Sequence, residues 1–191
     1  MIRDEALALL SEHVQSESLR GHCLAVEASM RHYAELAGAD VEAWGLVGLL
    51  HDFDYERFPG VPEHTREGAK ILRERGVDEE TVTAILSHAT WNQEEYPLDR
   101  PLRQTLFAVD ELSGFLVACA LVRPERLRGL AAKSVRKKLK TATFAAAVSR
   151  EDIQQGADLL GLSLDEHIER CIAALQKREE VLGLVPASAA G

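Results

Sequence analysis

Six residues of types that bind divalent metal ions are spread along the first 110 positions of the chain. They are four histidines and two aspartates: His22, His51, Asp52, His64, His88 and Asp110. Neutral imidazole and carboxylate groups are the usual protein ligands for such ions where thiolates are absent. The gaps of 29, 12, 24 and 22 residues between them are each about one helix and its loop long. This spacing permits all six to converge without requiring it.

The hydrophobic pattern predicts an all-α scaffold for these residues. Apolar residues recur at helical spacing in nearly every segment, and we find no β-branched alternation bounded by turn signals. Two prolines and a glycine predict a loop at 54–62, and a second loop is expected at 91–97. The predicted helices cover residues 2–15, 19–37, 41–51, 64–75, 78–88, 101–122, 125–132, 133–140, 150–160 and 163–182.

Each candidate ligand lies within or at the edge of a predicted helix, which is how helical bundles build metal sites in their cores. His51 ends an apolar helix beside Asp52, and His88 ends another. His64 follows the proline-containing loop. Asp110 interrupts an apolar helical face, where an isolated charge is costly unless it is paired. The carboxylate of Asp110 is therefore expected to have a partner.

The ordered set His22, His51-Asp52, His64, His88 and Asp110 resembles the H…HD…H…H…D signature of the HD superfamily of metal-dependent phosphohydrolases. The similarity covers about residues 19–122, and segments 48–54 and 108–112 also resemble small bacterial HD proteins. The resemblance implies an HD-domain helical bundle. It also implies a first metal site of His22, His51, Asp52 and Asp110, with Asp52 bridging to a second metal held by His64 and His88.

The reaction implied by this resemblance is hydrolysis of a nucleotide or another small phosphate ester. Paired divalent ions lower the pKa of a water and stabilise charge developing on a phosphoryl group. One or two ions are expected, and Mn, Fe, Co, Mg, Zn and Ni are not distinguished. A non-catalytic metal-binding sensor module and a di-iron oxygenase of the HD type stay open as alternatives, since the same ligands suit iron. Retention of both His64 and His88 favours a catalytic protein over a sensor.

Two features depart from the patterns of other HD groups. Tyr55 stands where many HD phosphodiesterases have the lysine of an HD-x-x-Lys motif, so phosphate recognition must come from elsewhere. No Gly-Tyr-Pro element follows the metal histidines, so we do not assign a cyclic-di-GMP substrate.

The segment 123–140 has eight basic residues against one acidic residue. Residues 133–140 could supply positive charge for the phosphate if their helix folds over the metal cleft. Arg123, Lys133 and Lys137 are the predicted substrate-binding residues, and a solvated helical face is the alternative. Glu111, beside Asp110, is predicted to share catalysis with Asp52.

Several other polar and aromatic residues could serve either the site or the fold. Asp54, Glu56 and Glu63 lie next to proposed ligands, where they could orient them or shuttle protons, but surface solvation is equally expected. Trp44 is predicted to lie in the core. Trp91 and Tyr96 either line a substrate mouth or pack internally. The remaining histidines, His13, His32 and His167, are predicted to be ordinary surface residues.

Composition sets the broad class. The chain is 46% apolar and 28% charged, as folded globular proteins are. We predict an HD domain over 1–124, a helical extension packed on it over 125–185 and a flexible tail at 186–191.

The net charge of −9 argues against general affinity for nucleic acid or anionic membranes. The three scattered cysteines and the acidic N-terminus predict a cytoplasmic protein. The longest apolar stretch is about half as long as a membrane span, so no membrane segment is expected. The expected partner is a small phosphorylated substrate. The oligomeric state stays open.

Overall fold

The structure, a computed structural model, describes residues 1–186. The fold of these residues is all-helical, with no strand among them, as predicted. The helices are α1 (Arg3–His13), α2 (Glu17–Ala37), α3 (Val41–Leu50), α4 (Glu63–Glu74), α5 (Glu79–His88), α6 (Pro101–Leu121), α7 (Ala132–Leu139), α8 (Arg150–Leu159) and α9 (Leu164–Gln176). A single 3-10 turn, Thr90–Asn92, follows α5.

Polar side chains set the starts of five helices. Ser16, Asp40, Asp78, Ser149 and Ser163 each accept a hydrogen bond from a backbone amide in the first turn of the helix that follows. Such caps satisfy amides that have no partner inside the helix. The local sequence therefore fixes where α2, α3, α5, α8 and α9 begin.

The centre of the molecule is formed by α2, α3 and α6, and two glycines allow close helix packing there. A Cβ atom on Gly48 of α3 would lie 2.9 Å from the Cα of Glu27 in α2. A Cβ atom on Gly156 of α8 would lie 2.6 Å from the Cα of Ala108 in α6. Only glycine permits backbones to approach this closely. Gly48 thus brings α3, which precedes His51, close to the backbone of α2, which carries His22. Gly156 brings α8 close to the backbone of α6, which carries Asp110.

Helix α6 is long and apolar enough to cross a membrane by length and composition. It is instead largely buried between α2, α5, α8 and α9. The central helix of a globular fold passes the same test, so this property alone is weak support for a membrane span.

Two predicted segments differ from the structure. Residues 125–131 form turns and irregular structure rather than a helix, because Arg126 (φ 53°) and Gly129 (φ 65°) adopt left-handed backbone conformations, and α7 begins at Ala132. The last helix ends at Gln176 and is followed by turns. The division of the chain at residue 124 stays a prediction, although α8 and α9 pack on α6 and α2. The predicted tail, apart from Pro186, lies outside the described residues.

The surface prediction for two histidines was wrong. His13 is buried against the edge of Phe53, and His167 is wholly buried. The Tyr33 hydroxyl lies 2.6 Å from His167 Nδ1, and the carbonyl oxygen of Ala108 lies 2.9 Å from its Nε2. Burial lowers the pKa of both imidazoles, so they are neutral. These partners come from distant helices, which sequence spacing does not reveal. His32 is partly buried near Glu35 and Lys177, and Trp44 lies in the core as predicted.

Candidate metal centre

Four histidine rings from four helices point their Nε2 atoms into one space. His22 lies within α2, His51 follows the last residue of α3, and His88 is the last residue of α5. His64 lies at the irregular start of α4. The structure therefore brings together all six residues named as candidate ligands, since Asp52 and Asp110 complete the cluster.

The first group of ligand atoms comes from α2, α3 and α6. His22 Nε2 lies 3.1 Å from His51 Nε2 and 3.0 Å from Asp110 Oδ1. The distance from His51 Nε2 to the same Asp110 oxygen is 3.3 Å. Asp52 Oδ2 lies 3.5 Å from His51 Nε2 and 3.8 Å from His22 Nε2. Four donor atoms thus surround one small volume.

The second group lies on the other side of Asp52. Its other oxygen, Oδ1, is 3.2 Å from His64 Nε2 and 3.3 Å from His88 Nε2. One carboxylate therefore directs one oxygen at each histidine pair. This arrangement is that of a bridging ligand between two adjacent cation sites.

The opposite ring nitrogens explain why these Nε2 atoms present lone pairs to the cluster. Nδ1 of His51 lies 2.8 Å from the carbonyl oxygen of Gly48, and Nδ1 of His88 lies 2.6 Å from that of Ile85. Nδ1 of His64 lies 3.0 Å from Asp54 Oδ1. These acceptors favour a proton on Nδ1, which leaves Nε2 free to bind a metal. The tautomers are assigned from this hydrogen-bond geometry.

An irregular turn at the start of α4 brings His64 inward. His64 has extended backbone angles (φ −53°, ψ 137°), and Thr65 is left-handed (φ 66°). Asn92 Nδ2 donates to Thr65 Oγ1 at 2.8 Å, and Asp54 Oδ2 accepts from the Gly68 amide at 2.9 Å. Strained backbone of this kind persists where surrounding contacts over-determine it. Asp54 is therefore a positioning residue for His64, and Asn92 supports the turn.

The donor set fits divalent metal ions. Metal–nitrogen bonds of about 2.1 Å place neighbouring ligand atoms about 3.0–3.4 Å apart. The distances given above for the two groups, 3.0–3.8 Å, are close to this spacing. Imidazole nitrogens and carboxylate oxygens suit Mn, Fe, Co, Ni and Zn. Cys23 lies next to His22 in sequence but is outside both groups. Burial and the charges of Asp52 and Asp110 raise the pKa of its thiol well above the usual value, so it does not offer a thiolate.

The carboxylates of the cluster favour the charged form of its histidines. Burial opposes charge on His51, but Asp52 and Asp110 outweigh it and raise the pKa of His51 to about 9. Burial likewise opposes charge on His64, but hydrogen bonds to Asp52 and Asp54 raise its pKa to about 9. The histidines in turn hold the pKa values of both Asp52 and Asp110 well below the ordinary range despite their burial. The cluster is thus built to hold positive charge.

A cleft of about 370 Å³ opens onto the cluster. Burial and the neighbouring charge of Asp110 raise the pKa of Glu111, which lines this cleft, to about 7. The amide of Ser149 donates to Glu111 Oε2 at 3.2 Å. Asp152, also in the lining, was not found from the sequence, because it lies in the C-terminal part of the chain with no motif around it. The cleft is therefore acidic.

The structure does not bring the predicted substrate-binding cations to this cleft. Arg123 donates to the carbonyl oxygens of Arg126 and Arg128 and so closes the turn after α6. Lys133 and Lys137 lie on α7 and line a separate depression with Arg136, Lys140 and Asp165. Lys133 and Lys137 are exposed, as the alternative of a solvated helical face predicted.

The other candidates have distinct places. Glu56 accepts from the amides of Gln15 and Ser16 and ties the 51–62 segment to the start of α2. Glu63 is exposed. Trp91 is 41% exposed and lines the cleft, whereas Tyr96 is partly buried against the core. Of the two aromatic residues, Trp91 is thus the one at the mouth.

Comparison with known proteins agrees with this geometry. A family model described as the HD domain matches residues 19–114, a span that contains all six clustered residues. The chain is 44% identical over 94 residues to an uncharacterized protein of Methanocaldococcus jannaschii, and the match covers 44% of this chain and 52% of that relative. The chain thus spans about half the length of the curated relative it matches. No solved structure gives a significant match. Because the family model covers half of the chain, the protein belongs to the HD domain family, whose superfamily is that of metal-dependent phosphohydrolases.

Proposed function

We propose that this protein is a dinuclear metal-dependent phosphohydrolase that cleaves a small phosphate ester. The observation that carries the proposal is the position of Asp52, whose two oxygens face two separate histidine pairs at 3.2–3.8 Å. A sensor module that binds one ion would not require this second half. Since the HD family also has non-catalytic members, turnover itself is part of the proposal.

The chain's own residues divide the work. His22, His51 and Asp110 would hold one cation, His64 and His88 would hold the other, and Asp52 would contribute an oxygen to each. When bound, such ions lower the pKa of a water and offset the charge on a phosphoryl group. Asp54 keeps His64 oriented through Nδ1. Gly48 and Ile85 do the same for His51 and His88 through their carbonyl oxygens.

Glu111 is the proposed proton donor to the departing alcohol. Its carboxyl group lines the cleft beside Asp110, and one of its oxygens is fixed by the Ser149 amide. The other oxygen is the one that would hold the proton. General acids of this kind contribute about 10²–10⁴-fold to rate.

The proposed setting is the cytoplasm, with a small phosphorylated molecule as the partner. The three cysteines are unpaired and buried, which suits a reducing compartment. The acidic cleft and the net charge of −9 disfavour general binding of nucleic acid.

The test combines metal analysis of protein purified without chelator with a panel of phosphate esters in Mn²⁺, Co²⁺, Mg²⁺ or Fe²⁺. We expect about two ions per chain and metal-dependent release of inorganic phosphate. Asp52→Ala should lose both ions and hydrolysis, whereas the control Asp158→Ala, an exposed residue of α8, should keep both. Stoichiometric metal in Asp52→Ala would overturn the proposal. Bound metal without turnover would favour a sensor, and oxygen-dependent turnover confined to iron-loaded protein would favour an oxygenase.

A further inference from the structure

A second cavity adjoins the metal cleft and differs from it in character. Its volume is about 570 Å³, within the range of small-molecule sites. It shares His22, Tyr55 and Val148 with the metal cleft, so the two are continuous. The lining comprises Ser16, Ser18, Leu19, His22, Tyr55, Glu56, Pro59, Gly114, Val117 and Val148. We call this second cavity the side chamber. Its lining is mostly apolar and includes Leu19, Val117 and Val148.

Neither the side chamber nor the metal cleft is lined by lysine or arginine among the described residues. The charged groups of the linings, apart from the histidines, are carboxylates: Asp52, Glu56, Asp110, Glu111 and Asp152. A substrate with several phosphates would leave those beyond the first without a cationic partner. Unpaired charge in a partly desolvated site is costly.

Two arginines on the adjoining segments, Arg66 and Arg150, are already engaged. Arg66, two residues after His64, donates to the side chains of Asn92 and Glu95. Arg150 donates to the carbonyl oxygens of Ala145, Val148 and Phe144, beneath the chamber wall formed by Val148. Their guanidinium groups serve the fold and are not free to bind a second phosphate.

The start of α2, which also borders the side chamber, has a carboxylate beside it. Helix N-termini attract anions through their free amides. Here the amides of Gln15 and Ser16 donate to Glu56 Oε2, each at 2.9 Å. The negative charge of Glu56 therefore lies beside the start of α2 and disfavours a second phosphate there.

We propose that the side chamber binds the uncharged, apolar organic part of a phosphate monoester, with the single phosphoryl group at the metal centre. This inference rests on the proposed function and names its substrate class. In the reaction, the oxygen of a water bonds to phosphorus as the bond from phosphorus to the ester oxygen breaks. The water gives up one proton and the departing alcohol oxygen takes one, which yields inorganic phosphate and an apolar alcohol. Nucleoside di- and triphosphates are thereby excluded as preferred substrates.

The first test uses ethyl, butyl and hexyl phosphate with the Mn²⁺-loaded full chain, beside a nucleoside triphosphate. We expect kcat/KM to rise about fourfold for each methylene that enters the side chamber, the factor that corresponds to about 0.8 kcal/mol per buried CH₂. Calorimetric titration with ethyl-, butyl- and hexylphosphonate, whose carbon–phosphorus bond is not hydrolysed, should give the same trend in Kd. A flat series, or a preference for the triphosphate, would overturn the inference.

Two variants narrow the chamber from different walls. Val117→Phe on α6 and Ser18→Phe at the exposed start of α2 should each lower kcat/KM more for hexyl than for ethyl phosphate, and so abolish the gain from butyl to hexyl. Leu121→Phe is the matched control, because Leu121 is an exposed residue of α6 outside both linings. Loss of chain-length dependence in Leu121→Phe as well, or in neither chamber variant, would contradict the assignment.

The two readouts separate this inference from the proposed function. Phosphonate binding that tightens with chain length, without hydrolysis of any ester, would support the side chamber and refute the phosphohydrolase. Hydrolysis that is indifferent to chain length would support the phosphohydrolase and refute the side chamber.

Discussion

The two halves of the candidate metal centre are built differently. His22, His51 and Asp110 are positioned by α2, α3 and α6, which pack closely at the centre of the fold. His64 is instead positioned by an irregular turn that depends on Asp54, Thr65 and Asn92. A site held by packed helices is rigid, whereas one held by a strained turn opens at lower free-energy cost. We therefore expect the first half to bind its ion more tightly than the second.

The largest predicted effects come from two single variants, each of which removes one histidine from one half of the centre. His51→Ala should lose both ions and reduce hydrolysis by about 10³-fold or more, equivalent to about 4 kcal/mol of barrier, because buried His51 contacts both Asp52 and Asp110. His64→Ala should keep the first ion and lose the second. Metal content per chain and kcat/KM measure both effects. Loss of both ions from His64→Ala would show that the halves are not independent.

The free energy of unfolding should fall with rising pH in metal-free protein and rise with pH in metal-loaded protein. In chelator-treated protein, the raised pKa of about 9 for His51 and His64 means that their stabilisation is complete below about pH 6.5. It is lost as the pH rises toward 9, by an amount on the order of a few kcal/mol. Metal-loaded protein should instead gain stability over this window, because deprotonated ligands bind better. Urea unfolding between pH 7 and 9 tests the sign, and a flat metal-free curve would refute proton occupancy of the cluster.

An intermediate effect, confined to the affinity for the second ion, is expected when the hydrogen-bond partner of His64 is changed. Asp54→Asn keeps the size of the side chain but removes the charge that orients His64. The affinity for the second ion should fall about 10–100-fold, with the first unchanged. Calorimetric metal titration measures both affinities. Asp40→Asn is the control, because asparagine caps α3 about as well as aspartate, and equal weakening of both ions in Asp54→Asn would contradict the comparison.

The smallest effect is expected from a buried contact outside both halves. Tyr33→Phe removes the hydroxyl that bonds His167 Nδ1 and should destabilise the fold by about 1–2 kcal/mol without changing metal content. Tyr55→Phe, at an exposed ring, should change the free energy of unfolding by less than about 0.5 kcal/mol. Urea unfolding measures the stability of both variants. Loss of metal from Tyr33→Phe would contradict this prediction, because it would show that the contact with His167 of α9 affects the metal centre.

The same division separates what the sequence predicted from what it did not. Apolar periodicity predicted the helices that carry His22, His51 and Asp110, and the cost of a lone buried charge predicted a partner for Asp110. The turn at Thr65 rests on contacts with Asn92, 27 residues away, that no local pattern encodes. The direction in which Lys133 and Lys137 point depends on how α7 packs, so helical periodicity alone did not reveal it. His167 was misjudged for the same reason, since its partners Tyr33 and Ala108 are distant in sequence.

Anomalous diffraction from crystals of the Mn²⁺-loaded protein tests the central claim most directly. We expect two anomalous peaks, one among His22, His51 and Asp110 and the other beside His64 and His88, with Asp52 contacting both. A single peak that touches neither oxygen of Asp52, or no peak within the cluster at saturating Mn²⁺, would contradict it.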